Sequence, residues 1–136
     1  MPAPLGKVPT KKMPQIQVFG RDDSPATRTA LRFFRERRIV VHYIDLKKRP
    51  MAPTELRRFT ERLGARVLLD EGSKAFRDAG LGYLSMGDGE IAERLARDSR
   101  LIRLPLVRHD NDVTAGPAEA TWIAWLSPAA GATASR

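Results

Sequence analysis

The residues with the chemistry to act on something gather in Arg21-Asp22-Asp23-Ser24-Pro25-Ala26-Thr27-Arg28. A serine followed by proline marks a helix N-cap and first helical position, where the missing proline N–H costs nothing. A helix N-terminus presents unpaired N–H groups and the positive end of the helix dipole. Ser24 and Thr27, flanked by Arg21 and Arg28, could therefore hold an anion or a thiol ligand there. The plain role of Ser24 is capping, which stabilises by about 1 kcal/mol. As a nucleophile it would need a base beside it. The only histidines, His42 and His109, are distant in sequence. His42 reads as a partly buried packing residue, and His109 as a solvated residue at the start of a turn. No grouping of His, Asp and Glu has metal-ligand spacing, so no metal is expected. The chain has no cysteine, which removes thiolate nucleophiles, redox CxxC pairs, Fe–S ligation and disulfides together.

The elements that position these residues can be read in order. Ile16-Gln17-Val18-Phe19 alternates apolar and polar as a short strand and stops at Gly20. A turn at residues 21–23 leads into a helix from Pro25 to Arg38, with Ala30, Leu31, Phe33 and Phe34 as its buried stripe. Ile39–Ile44 is β-branched and aromatic, a second strand ending at Asp45 and the most apolar stretch of the chain. After the basic loop Lys47-Lys48-Arg49-Pro50, Leu56, Phe59 and Leu63 recur at helical spacing from Pro53, with Gly64 as the stop. A third helical piece is expected from Val67 unevenly to Gly80, and a fourth from Asp88 to Asp98. Residues 103–108 form a strand entered through Pro105, Asp110-Asn111-Asp112 a turn, and residues 113–116 its antiparallel partner. Pro117 opens a closing helix in which Trp122 and Trp125 pack. The order β-α-β, helices, β-β-α gives one parallel and one antiparallel pair. The fold class is α/β, a thioredoxin/glutaredoxin-like mixed four-stranded sheet with an inserted helical block at about 53–99. The domain spans 16–126, between a flexible leader at 1–15, which has no apolar stretch and is not a secretory signal, and a disordered tail at 127–136.

Val18-Phe19-Gly20…Ser24…Thr27-Arg28, Tyr43-Ile44-Asp45-Leu46, Val67-Leu68-Leu69-Asp70 and Leu104-Pro105-Leu106-Val107-Arg108 resemble, in this order, the arsenate reductase (ArsC) and Spx-type family. The resemblance covers about Ile16 to Leu126. It implies a reactive cysteine at the helix N-terminus, on the position of Ser24, and in regulators with a CxxC pair a second on Thr27. It also implies three arginines that clamp the oxyanion. This sequence has Asp70 at the first of these positions and Leu104 at the second, with Arg103 one residue off. The third falls in the hairpin at 110–112, which has no basic side chain. The resemblance further implies a cis peptide before Pro105, whose backbone could hydrogen-bond an extended peptide or a glutathione-like ligand.

Charge gives the remaining constraint. The net charge of +8 is uneven, with 16 basic against 6 acidic residues up to Arg66 and 8 against 10 beyond. A basic half suits an acidic partner, with Lys47-Lys48-Arg49 the best-placed run. No zinc-finger spacing, RNP-like motif or arginine/aromatic interleaving supports nucleic-acid binding, and no apolar run is long enough for a membrane span. The expected compartment is the cytoplasm. The expected protein is an ArsC/Spx-like binding or regulatory module without thiol redox activity. No cofactor is needed, although glutathione could bind, and the resemblance to Spx-type regulators offers the RNA polymerase α subunit as a partner. The alternative is an arsenate-reductase-like or glutathione-dependent oxidoreductase or transferase using an external thiol near Ser24. Candidate ligand-binding residues are Ser24, Arg21, Thr27, Arg28, Arg103 and Pro105. Whether the chain is an enzyme stays open at this point, because thiol catalysis of its own is closed to it.

Overall fold

The computed structural model describes residues 16–126, so the leader at 1–15 and the tail at 127–136 lie outside the described residues. Four strands form one sheet: β1 (Ile16–Gly20), β2 (Val41–Asp45), β3 (Leu106–His109) and β4 (Asp112–Ala115), in the order β2-β1-β3-β4. β1 pairs parallel with β2, Ile16 opposite Val41, and antiparallel with β3, Val18 opposite Val107. β3 and β4 close as a hairpin. The helices are α1 (Pro25–Glu36), α2 (Pro53–Leu63), α3 (Ala65–Leu68), α4 (Lys74–Asp78), α5 (Asp88–Arg97) and α6 (Glu119–Leu126). All of α2 to α5 lies between β2 and β3.

The period of two along a strand sorts side chains onto opposite faces. Ile16, Val18 and Val107 face one way and pack with Ala30, Phe33 and Phe34 of α1 and Trp122 of α6. Phe19, Ile44 and Leu106 face the other way and pack with Leu56 and Phe59 of α2, Leu68 of α3 and Ile91 and Leu95 of α5. The sheet is thus covered on both faces, the usual result when a parallel pair is joined by a crossover helix. The inserted block is tied in by aromatic contact: Phe19 and Phe59 meet edge to face with centroids 5.7 Å apart.

Several boundaries differ from the sequence reading, each for a local reason. α1 stops at Glu36, because Arg38 takes a left-handed φ of 61° and the Ile39 N–H turns back to the Phe34 carbonyl. β2 begins at Val41 and is an edge strand, so its apolar run is not all buried; Val40 is 75% exposed. His42 is exposed on that edge rather than packed, with Nδ1 3.4 Å from Gln17 Nε2. The expected single helical piece at 67–80 is broken into α3 and α4. Between them Leu69 pairs with Ile102 as an antiparallel bridge, with the Asp70 N–H on the Leu101 carbonyl and the Arg103 N–H on the Leu68 carbonyl. β3 starts at Leu106, past the cis Leu104–Pro105 peptide, and β4 at Asp112. α6 starts two residues after Pro117. His109 ends β3 rather than opening the turn; its side chain is 20% exposed and stacks on Trp125 at 5.4 Å.

Phe59 is fully buried at the junction of insertion and sheet. Phe59→Ala should therefore cost about 3–5 kcal/mol in urea denaturation, whereas exposed Val40→Ser should stay within about 0.5 kcal/mol. A Phe59→Ala cost below about 1 kcal/mol would mean that the insertion does not fold as part of the same core.

Candidate functional site

The site forms where β1 ends. Gly20 has to be glycine because a Cβ there would lie 2.5 Å from both Cγ2 and Oγ1 of Thr27. Thr27 is fully buried and its hydroxyl accepts the Arg21 N–H at 3.4 Å. The strand end and the first turn of α1 are thereby pressed together. The Ser24 N–H donates to the Arg21 carbonyl, and Ser24 Oγ accepts the Thr27 N–H at 3.2 Å. The cap read from sequence is present, and the Ser24 hydroxyl proton is left over for another acceptor.

Opposite this loop stand the bridge-held Asp70 and α4. Ser73 caps α4 by accepting the Phe76 N–H and donates to the Asp70 carbonyl. Between the two walls lies a cleft of about 790 Å³, lined on the loop side by Arg21, Asp23 and Ser24. Asp70, Ser73, Lys74, Asp78 and Arg100 line the far side, and Ile102 and Leu104 also contribute. Its cations are all engaged. Arg21 forks onto the Asp23 carboxylate with two bonds of 3.0 Å and donates to Ser99 Oγ at 2.8 Å. Lys74 Nζ meets Asp78 at 2.6 Å, and Arg100 meets Asp98 at 2.8 Å. These hydrogen bonds hold the Asp23, Asp78 and Asp98 carboxyls below the ordinary carboxylate range. The Asp98 carboxylate in turn pushes the Arg100 guanidinium up. Asp70 adds a carboxylate with no cation in reach among the described residues, its Oδ1 accepting the Gly72 N–H. Three lining cations against three lining carboxylates, with Asp98 also bound to Arg100, make a poor trap for an oxyanion.

Of the six candidates from sequence, the cleft brings together only Ser24 and Arg21, with Thr27 buried beneath as a spacer. Arg28 turns outward onto the Asp22 carbonyl. Asp22 in turn accepts the Tyr43 hydroxyl, whose pKa is pushed up by burial and by that carboxylate. Arg103 is not among the lining residues: its Nε and Nη2 donate to the Val67 and Leu69 carbonyls, pinning α3 to the strand entrance. Pro105 is buried and its carbonyl is occupied by the Gly116 N–H; Leu104 is the member of that pair that reaches the cleft. Sequence reasoning missed Ser73, Lys74, Asp78 and Arg100. The i, i+4 spacing of Lys74 and Asp78 was a legible helix pair, but nothing local says that it faces Ser24. Neither histidine lines the cleft, so no imidazole base stands beside the serine. Among the described residues no cluster of His, Asp and Glu could hold a metal ion, and no helix is long and apolar enough to cross a membrane.

The comparisons with known proteins converge. A family model described as "ArsC family" matches residues 19–124. No curated protein matches. Among solved structures, the YFFB protein superposes with a TM-score of 0.77 at 16% identity, covering 83% of this chain and 100% of its own. An ArsC-family related protein from Bacteroides fragilis gives 0.74 at 16% identity over 82% and 97% of the two chains. An arsenate reductase from Vibrio cholerae gives 0.67 at 18% over 76% and 91%. At these identities the likeness is one of fold, the mixed four-stranded thioredoxin-like α/β sheet.

Two outcomes follow from the cap and the charges. Ser24→Ala should lower stability by about 1 kcal/mol, and Gly20→Ala by more, because the added methyl has only the Thr27 side chain to displace. Because the folded-state pKa of Asp98 is lowered, its contribution is present above the ordinary value of 3.8 and is lost as pH falls through the folded value. Urea midpoints of wild type and Asp98→Asn should therefore differ at neutral pH, begin to approach each other below about pH 4, and converge once pH falls below the lowered folded value; a constant gap would exclude the linkage.

Proposed function

The chain belongs to the ArsC family, and from that premise we propose that it is a non-redox member, a binding or regulatory module built on the arsenate reductase scaffold. One observation carries this reading. At the helix N-terminus where the resemblance implies a reactive cysteine, Ser24 instead caps α1, in a chain with no cysteine, facing cations that carboxylates already neutralise. A hydroxyl there is hardly ionised at neutral pH and forms no disulfide. The position of the first clamp arginine is Asp70, which repels an oxyanion. Arg103, the nearest substitute for the second, is spent on backbone carbonyls.

A partner suited to this module is acidic. Arg28, Arg32 and Arg35 recur at i, i+4 and i+7 along the outer face of α1, all exposed, and no carboxylate pairs with them among the described residues. By resemblance to Spx-type regulators the RNA polymerase α subunit is the first partner to try. Absence of binding at tens of micromolar of purified subunit would exclude it.

A second reading has its own support. Ser24 Oγ uses a lone pair on Thr27 and keeps its proton, which could be donated to the thiolate of a glutathione held in a cleft large enough for a tripeptide. In that case the chain would be a glutathione-dependent transferase or oxidoreductase. Activity and calorimetry on the native protein and on Ser24→Cys separate the readings. For a binding module, neither glutathione heat nor glutaredoxin-coupled arsenate turnover is expected from the native chain. Saturable glutathione binding lost in Ser24→Ala would replace that reading with the transferase. Turnover gained in Ser24→Cys would mean that only the thiol is missing.

A further inference from the structure

At the opposite end of β1 from Ser24, the C-terminal part of α2 and the β3–β4 turn enclose a second hollow, of about 170 Å³. Its charged lining is Arg58, Arg62 and Arg108 with Glu61 and Asp110. The contrast with the cleft lies in how its cations are held. Arg62 donates through Nε and Nη2 to one acceptor, the Asn111 carbonyl, at 3.0 and 2.7 Å. Arg108 donates through Nε to the Asp110 carbonyl at 2.8 Å and through Nη1 to Gln17 Oε1 at 2.9 Å. Two guanidinium groups are thus fixed in position by neutral oxygens. Among the described residues no carboxylate lies within 4.0 Å of either, nor of Arg58, whose exposed side chain has no hydrogen-bond partner among them. Asp110, though in the lining, turns toward His109 Nε2 at 4.0 Å, and Glu61 is exposed and joins no ion pair.

From this geometry we infer a binding site for a small free oxyanion, a phosphate-class dianion, between α2 and the β3–β4 hairpin. Arginine's planar fork matches tetrahedral and carboxylate oxygens, and orienting it beforehand reduces the entropy lost on binding. Arg62 and Arg108 keep undonated N–H groups after these bonds to the Asn111 and Asp110 carbonyls and the Gln17 side chain. The hollow is well below the roughly 300 Å³ at which drug-sized sites begin. It takes one anionic group, not a nucleotide. Arg62 and Arg108 could by themselves be staples joining α2 to the hairpin. That explanation leaves Arg58 without a task, and the anion gives it one. This site stands independently of the reading of the Ser24 cleft.

The test is a titration of the full chain with inorganic phosphate, followed by amide NMR shifts, with acetate as the monoanion control. Saturable shifts at Arg58, Arg62 and Asn111 are expected at millimolar phosphate and weaker ones with acetate. Arg58→Gln should weaken binding roughly tenfold without lowering the thermal midpoint, since its side chain bonds to nothing. Arg97→Gln removes the same charge from an exposed pair with Glu93 and should leave binding unchanged. Shifts that fail to saturate by tens of millimolar, equal weakening in Arg58→Gln and Arg97→Gln, or shifts centred on Ser24 would each overturn the assignment.

Discussion

The cleft end of this molecule depends on one steric constraint, the close approach of Gly20 to Thr27. β1 sits inside the sheet with β2 on one side and β3 on the other, and its side chains are buried against helices on both faces. Where such a strand ends, its direction is already fixed. The absence of a Cβ at Gly20 lets the buried Thr27 side chain close against it, so the first turn of α1 cannot drift from the strand. Everything chemical at this end follows. The Arg21–Asp23 turn is short, Ser24 falls on the cap, and Ser24, Pro25 and Ala26 at the start of α1 line the cleft. At the position where the family resemblance implies a sulfur, this chain has the Ser24 oxygen.

Charge placement sets how much pull this cleft has on an oxyanion. Each lining cation is held by a carboxylate one helical turn away or two residues off in sequence, through hydrogen bonds that lower the Asp pKa values as well. A guanidinium already forked onto Asp23 has little to offer an incoming anion, which would have to displace a partner covalently tethered beside it. In the hollow by the hairpin Arg62 and Arg108 lean on carbonyl oxygens, which orient a guanidinium but leave its charge uncompensated. Counting arginines would rank the two places differently from asking what each arginine touches.

The sequence carried much of the architecture because the signals were local. Ser24-Pro25 specifies a cap through one hydrogen bond within four residues, and Gly64 stops α2 in the left-handed region that glycine tolerates, at φ 93°. The alternation in Ile16–Phe19 announced a strand with two different faces. Errors came where a distant contact overrode the local pattern. Leu69 left a helical run to bridge Ile102, thirty-three positions on. His42, inside the most apolar stretch, became exposed because β2 lies at the edge of the sheet. His109 was drawn under Trp125 by α6, an element that a reading of the turn alone does not include.

The chain's own letters decided two things: with no cysteine it has no thiol of its own to react, and the ordered motifs from Val18 to Arg108 carry the resemblance to the family that the family model matches. Tertiary structure decided which groups meet. Arg28 and Arg103 look like ligands from their neighbours in sequence, yet one turns out to Asp22 and the other is consumed by the carbonyls of Val67 and Leu69. Lys74, Asp78 and Arg100 enter the cleft across some fifty to eighty residues, and Arg62 reaches the hairpin across forty-nine. The reason is physical. Capping, turn and periodicity signals act over a few residues, whereas the field at a site is set by side chains that come together only when both faces of the sheet are covered.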